Sequence, residues 1–361
     1  VDDGGGGMIP SLALRRKTLA ARFPWFEGSL SALSASLVFF LASLIFFALL
    51  GRSPFLLFGE LLSGSLGSTY GITETLVKTI PILLCALATA LPARLGLLTV
   101  GASGQFYMGA WCGTAAVLLF GSSHWAAMPL MLLAAFAGGA FWGLVPGFLR
   151  AKLEVNETLV TLLLNYVASL LVDWVVYGSW RDTSNLGWPA TISFPEWVKL
   201  PFLVHGSHLH SGLILALAIA VALHVVLSRS RWGLSLRILK SNRKLGEGVG
   251  FSWTGNVALV MGIGGAIAGL SGILETSCIH GRLESGIALN FGLTGFLVAW
   301  MAGQHMIRII PLAFVMGALL SSGDALQLYA QLPEATAVVL QSILFCSVLA
   351  TGGFLRRGRT P

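Results

Sequence analysis

Apolar runs about as long as a bilayer is thick recur from one end of this 361-residue chain to the other, and that leaves it few ways to fold. A helix rises 1.5 Å per residue, so roughly 17 to 25 apolar residues cross the hydrocarbon core. Runs of that order centre on residues 31–50, 73–92, 101–120, 128–149, 157–177, 211–228, 254–274, 288–303, 309–328 and 335–352. A soluble domain needs far more charged surface than 10% charged residues against 55% hydrophobic, with a mean hydropathy of +0.82. The chain therefore reads as an all-α integral membrane protein of about ten transmembrane helices.

Charge orients it. With both termini in the cytoplasm, the inner side receives Arg15, Arg16, Lys17, Arg22, Arg94, Arg150, Lys152, the basic loop Arg229–Trp253, Arg308, Arg356, Arg357 and Arg359. Only Arg52, Lys78, Arg181, Lys199 and Arg282 remain outside, an asymmetry that follows the positive-inside rule and supports an even number of spans. It also accounts for the net charge of +7 without nucleic acid, because anionic membrane lipid attracts basic residues to that face. The expected layout is a cytoplasmic segment 1–28, a transmembrane domain 29–355 and a cytoplasmic tail 356–361. The first apolar run lacks a small-x-small cleavage site and reads as a retained span. The opening VDDGGGG, ahead of Met8, is set aside from the fold reading.

Loop 229–253 carries Arg229, Arg231, Arg237, Lys240, Arg243 and Lys244 against the single acid Glu247. No GxxxxGK[ST] phosphate loop, HExxH, GxSxG or paired-cysteine pattern occurs, so the chain has no ATP site of its own, no cofactor motif and no catalytic constellation. A membrane protein with one dominant basic loop and no nucleotide site reads as something moved by a partner. Cys85, Cys112, Cys278 and Cys346 lie in or beside apolar runs and read as small buried residues, with no disulfide framework or zinc site. The outer loop 178–210 holds Trp180, Trp188, Trp197, Pro189, Pro195 and Pro201, which suit an interfacial connector or a docking surface for an extracytoplasmic partner. Its histidines, His205, His208 and His210, read as solvated; their spacing also admits a metal ion, but no second-shell carboxylate is in view.

Two Gly-rich stretches, Leu95–Ala110 and Gly286–Gly303, interrupt the helical pattern. Interrupted spans in corresponding positions of two halves point to an internal repeat with the pathway at its interface, whereas glycines alone also serve close helix packing. Charges within the runs are few: Glu74 and Lys78, Asp173, and Asp324 all fall near run ends, which argues against a proton relay at the midplane. Asn165 stands about 13 Å into its run at 1.5 Å per residue, near the midplane. Its amide suits a neutral polar solute, or equally an interhelical hydrogen bond. Asn156 and Glu157 read as an N-cap and a favourable charge at the helix dipole.

Three blocks carry a family resemblance. Val100–Ala110, VGASGQFYMGA, looks like the "NIGAEGQ…GA" turn of permeases of bacterial ABC importers for simple sugars and nucleosides, within the group that includes ribose and branched-chain amino acid permeases. Leu149–Asp182 is similar almost throughout to their "LKAKFGVNEVISTLMLNYIA…GPW" block, and Ile263–Arg282 supplies the third. The likeness runs from about the second apolar run onward and is strongest to the nucleoside branch.

The resemblance implies a type II-like importer permease with broken helices. It implies a second homologous permease, a cytoplasmic ATPase with two nucleotide-binding modules and an extracytoplasmic solute-binding protein, in a bacterial inner membrane. A purine nucleoside is the leading solute and a simple sugar the alternative; an ion-coupled carrier is the competing class. Pathway candidates are Asn165, Gln105 and Ser103, and ATPase coupling falls to the short helix around Asn242, Arg243, Lys244, Leu245 and Gly250. Two departures stand out: Ser103 replaces the family's glutamate, and Lys244 and Leu245 replace small alanines in the coupling loop.

Overall fold

The computed structural model describes the backbone of residues 24–357 except 185, 186, 205, 289 and 334, and side chains from 33 to 351. Its described helices are α1 Pro24–Leu49, α2 Pro54–Leu66, α3 Thr69–Ala93, α4 Ala102–Phe120, α5 Ala127–Leu153, α6 Glu157–Tyr177, α7 Gly212–Arg229, α8 Arg231–Ser241, α9 Arg243–Gly248, α10 Trp253–Glu275, α11 Phe291–Met301, α12 Met306–Ala330 and α13 Ala335–Arg357. A π turn, Thr276–His280, continues α10. Residues 1–23 and 358–361, which include most of the expected cytoplasmic ends, lie outside the described residues.

Every apolar run falls on a helix, but among the described residues fewer than ten of these helices are long and apolar enough to cross a membrane singly. Six helices (α3, α5, α6, α7, α10 with its π turn, and α12) are long and apolar enough to cross a membrane, or seven spans if the bent pair α1 and α2 counts as one. The physical reason lies in the interruptions. α11 has 11 residues, about 16 Å of rise, and crosses only half a bilayer. α4 is 19 residues long but spends its first two turns on Ser103, Gln105 and Tyr107.

The chain divides into two compact units, residues 1–59 with 338–361, and 60–337. In the smaller, Gly51 at φ +70 turns the chain and Pro54 opens α2, where its missing N–H costs nothing. Phe58 then packs between Phe40 and Phe47, ring centroids 4.8 and 5.5 Å away.

The larger unit is built around α3 and α10, both buried along most of their length. α10 meets α4 and α5 backbone to backbone. A Cβ on Gly109 or Gly139 would land on the backbone of Gly269 or Gly265, and one on Gly272 would strike Phe106. Gly139 with Gly143, and Gly265 with Gly269, are small-xxx-small pairs of the kind that bring membrane helices close enough for main-chain contact.

The long loop 178–210 is a packed cap rather than a solvated connector. Thr191 N–H donates to the Leu283 carbonyl at 3.0 Å, Leu283 N–H returns to Thr191 Oγ1 at 3.0 Å, and Phe194 N–H reaches the Gly281 carbonyl at 2.7 Å. Phe194 and Val198 bury themselves against Val117, Met131 and Ile273, and His124 stacks on Trp197 at 4.1 Å. Tryptophans and prolines placed here thus close one end of α4, α5 and α10.

Candidate functional site

The first break, residues 94–101, leaves helical geometry between α3 and α4, so its backbone polar groups need partners that lipid cannot supply. A polar stripe on α6 provides them. Leu98 N–H donates to Glu157 Oε1 at 3.1 Å, and Thr158 Oγ1 donates to the Leu98 carbonyl at 2.7 Å. One turn on, Val100 N–H donates to Thr161 Oγ1 at 3.3 Å. One further turn on, Asn165 Nδ2 donates to the Val100 carbonyl and Asn165 Oδ1 accepts from Gly104 N–H, both at 2.8 Å. That last bond satisfies a first-turn donor of α4, whose own N-cap, Gly101, offers no side chain. Residues 157, 161 and 165 recur at the helical period, so one face of α6 zips the broken segment in place. Arg150 Nε, 3.2 Å from Glu157 Oε2, balances the carboxylate.

The second break, residues 281–290, follows the π turn and reaches the same place from the other side. Its N-terminal part hangs from the 178–210 cap, and Ser285 Oγ donates to Asp173 Oδ1 of α6 at 2.6 Å. Gly292, in the first turn of α11, packs directly on Ser103, and the rings of Phe106 and Phe291 lie 6.2 Å apart. The two Gly-rich stretches therefore meet, and their glycines serve both as chain breaks and as close contacts.

Between the breaks and α6 lies a cavity of about 450 Å³ lined by Val100, Ser103, Tyr107, Leu162, Asn165, Tyr166, Ser169, Gly286, Ala288, Asn290 and Leu293. None of these described lining residues carries a charge. Of the residues singled out in the sequence, Ser103 and Asn165 line it, whereas Gln105 is 5% exposed and is not part of the wall. Asn165 lines it while its amide makes one donor and one acceptor bond to the first break. Sequence reasoning missed Tyr107, Tyr166, Ser169 and Asn290; Tyr107 and Ser169 sit one turn from Ser103 and Asn165 on the same helices, a signal that was available, and Tyr166 directly follows Asn165. It also missed Glu275. The π turn extends that span to His280, which leaves Glu275 as a buried carboxylate inside it, 3.9 Å from His280 Nε2.

Around the cap, charges are tied. Lys78 pairs with Asp324, and His208 Nδ1 lies 3.0 Å from Glu74 Oε1. His210 is buried beside the start of α7, where its Nδ1 accepts from Gly212 N–H at 3.1 Å; burial pushes its pKa down to about 4, so it is neutral at pH 7. His210 is thus packed rather than solvated, His208 stays exposed to solvent while it pairs with Glu74, and His205 lies outside the described residues.

At the opposite end, α8 and α9 form the basic loop. Asn242 caps α9, its Oδ1 accepting from Leu245 N–H at 3.1 Å, and Gly250 at φ +95 turns the chain out of it. Arg243 bonds Glu154 and Glu247, each at 3.2 Å, and its guanidinium lies 5.0 Å from the Trp253 ring centroid. Lys244 is exposed, and Leu245 and Val249, one turn apart, are 56% and 66% exposed. Lys240 Nζ donates to the Ala93 carbonyl at 2.9 Å; burial, then the nearby Arg94, hold that ammonium below the usual lysine range. Trp232 Nε1 donates to Asn256 Oδ1 at 3.0 Å and so fastens the loop to α10.

Broken spans enclosing an uncharged polar cavity, with a basic helical elbow at one end, define a helical membrane permease. Residues 71–349 match the model of the branched-chain amino acid transport system permease component, and the chain belongs to that family. It is 31% identical over 312 residues to the glucose ABC transporter permease protein TsgB13 of Haloferax volcanii, covering 84% of this chain and 82% of that one. It is 30% identical over 270 residues to the guanosine ABC transporter permease protein NupP of Bacillus subtilis (73% and 76%). It is 28% identical over 328 residues to the nucleoside ABC transporter permease protein NupB of Lactococcus lactis (85% and 86%). The chain is a multi-pass permease component of an ABC importer, without catalytic activity or cofactor of its own, which sets aside the ion-coupled carrier.

Proposed function

We propose that this chain forms one half of the membrane pathway of an importer for a nucleoside, with a purine nucleoside as the leading solute. The cavity carries the reading. It offers hydroxyls, an amide and two tyrosine rings without a charge, which suits a neutral solute that has both a flat apolar face and hydrogen-bonding groups. An amino acid zwitterion would find no counter-charge among these lining residues. The second reading, a simple sugar, draws on the same hydroxyls and on the likeness to a glucose permease.

The cavity opens along the face of α6 where Leu159, Leu163, Tyr166 and Leu170 are all at least 60% exposed. Polar wall groups on such a face are costly against lipid, so a second, homologous permease covers them and the pathway runs between the two, in a type II-like arrangement. A cytoplasmic ATPase with two nucleotide-binding modules seats α9 in a groove. Leu245 and Val249 enter it, each contributing about 1.5–3 kcal/mol when fully buried, while Asn242, Arg243 and Gly250 hold the helix in shape and Lys244 lies at the rim. A solute-binding protein docks on the 178–210 cap, both termini lie in the cytoplasm of a bacterial cell, and ATP binding and hydrolysis drive alternating access.

The test is uptake into proteoliposomes holding the complete complex, loaded with ATP. Labelled guanosine should enter and be competed by other nucleosides but not by glucose; the reverse order would establish the sugar reading. L245A/V249A should uncouple ATP hydrolysis from uptake while the permease still assembles.

A further inference from the structure

Three asparagines of this chain stand at helix N-termini, and one of them does not behave as a cap. Asn156 and Asn242 have extended ψ values of 111 and 106, and each folds its side-chain oxygen back onto first-turn amides, at 2.9 Å from Thr158 N and 3.1 Å from Leu245 N. That is the ordinary use of asparagine at this position. Asn290, which opens α11, instead sits in the left-handed region at φ 63 and ψ 10, and its side chain makes no capping bond. Among residues other than glycine, asparagine tolerates that conformation best. Glycine tolerates it better still, so the turn alone does not call for an amide.

The Asn290 side chain is exposed and lines the cavity. Two other polar wall groups are already engaged: Asn165 with Val100 and Gly104, and Ser169 Oγ with the Tyr166 carbonyl at 2.9 Å. Asn290 makes no side-chain hydrogen bond among the described residues, which leaves its donor and its acceptor both unspent beside the tyrosine rings. A planar amide offers a donor and an acceptor in one plane, a match for a heterocycle that presents an adjacent acceptor and donor on one edge.

We infer that Asn290 is the specificity-determining residue of the cavity, and that it reads the lactam edge (C=O beside N–H) of a flat heterocyclic base. This rests on the nucleoside reading above and adds to it which part of the solute is recognised and by which side chain. Sites that hydrogen-bond a substrate group discriminate strongly against an analogue lacking it, because the protein group is then left unpaired.

The experiment compares inosine, which carries the lactam, with purine riboside, which carries neither its oxygen nor its N–H, in ATP-loaded proteoliposomes of the complete complex. The wild type and N290G are measured side by side. Glycine keeps the left-handed turn and removes only the amide, and because both arms use the same solute-binding protein, its own selectivity cancels from the comparison. The ratio of uptake efficiencies, inosine over purine riboside, should fall about tenfold in N290G with assembly and thermal stability retained, and N290D, which keeps size but loses the donor, should show a comparable fall. An unchanged ratio in N290G, with both solutes transported by the wild type, overturns the Asn290 assignment alone. A wild-type complex that moves glucose but neither nucleoside overturns the nucleoside reading and this inference with it.

Discussion

The two helix breaks that meet at the cavity are held by opposite means. The first, 94–101, is stitched by side chains of a single neighbouring helix, α6, through residues spaced at its own period. The second, 281–290, is carried by loop backbone from the 178–210 cap, with one side-chain tie, Ser285 to Asp173. One wall of the cavity is thus referenced to the membrane core and the other to the outer loop. The second wall therefore hangs on the cap through loop backbone and on α6 through one side-chain bond, whereas the first hangs on the side chains of α6 alone.

That difference can be broken from either side. The largest effect is expected from N165L, which orphans the Gly104 N–H and the Val100 carbonyl. Buried groups left unpaired cost about 1–3 kcal/mol each, so the variant should lose about 2–6 kcal/mol and most of its uptake, read by thermal melting of the detergent-solubilised complex and by flux. Acidification should act on the other wall. His210 has a folded pKa of about 4 against an ordinary 6.5, so the unfolded cap binds the proton first. The stabilisation is therefore complete above about pH 6.5 and is lost as the pH falls toward 4, about 3 kcal/mol in all at 1.36 kcal/mol per unit. Hydrogen exchange should show residues 202–212 and 281–284 opening at pH 4.5 while 98–104 stay protected; equal opening of both would erase the distinction.

A smaller effect is expected where the walls touch. In G292A the new methyl collides with Ser103, and overpacking of this kind costs about 1–3 kcal/mol; the expected sign is a lower melting temperature together with a weaker apparent affinity for solute. Smallest is T191V, which removes the acceptor for Leu283 N–H and should cost about 1 kcal/mol. It should speed exchange at 281–284 and leave the α6 stitches untouched.

Much of this was legible in the chain. Helical class, the position of each apolar run and the family blocks follow from hydropathy and residue order. The depth of Asn165 was legible as well, but its partners were not, because they are backbone groups some sixty positions earlier. The same non-locality hid Arg243, which the sequence leaves without a specific partner and the fold pairs with Glu154, 89 residues away. Glu275 was lost to a boundary: ending the seventh run at 274 placed it in a loop, and only the π turn shows that the span continues. The expected span count differs from the number of full-length apolar helices for a related reason. Hydropathy registers a helix that is apolar, not whether it is long enough to cross, and α11 is apolar but too short.

The glycine contacts joining α10 to α4 and α5 have a mechanical meaning. Where main chain rests on main chain, no rotamer can yield and no side-chain torsion can absorb strain. The three helices are then a stiff plate, and the Trp232–Asn256 bond bolts the basic elbow to one edge of it. Helices joined in this way shift as one body, so the elbow at Trp232 and the α4 side of the cavity belong to a single plate.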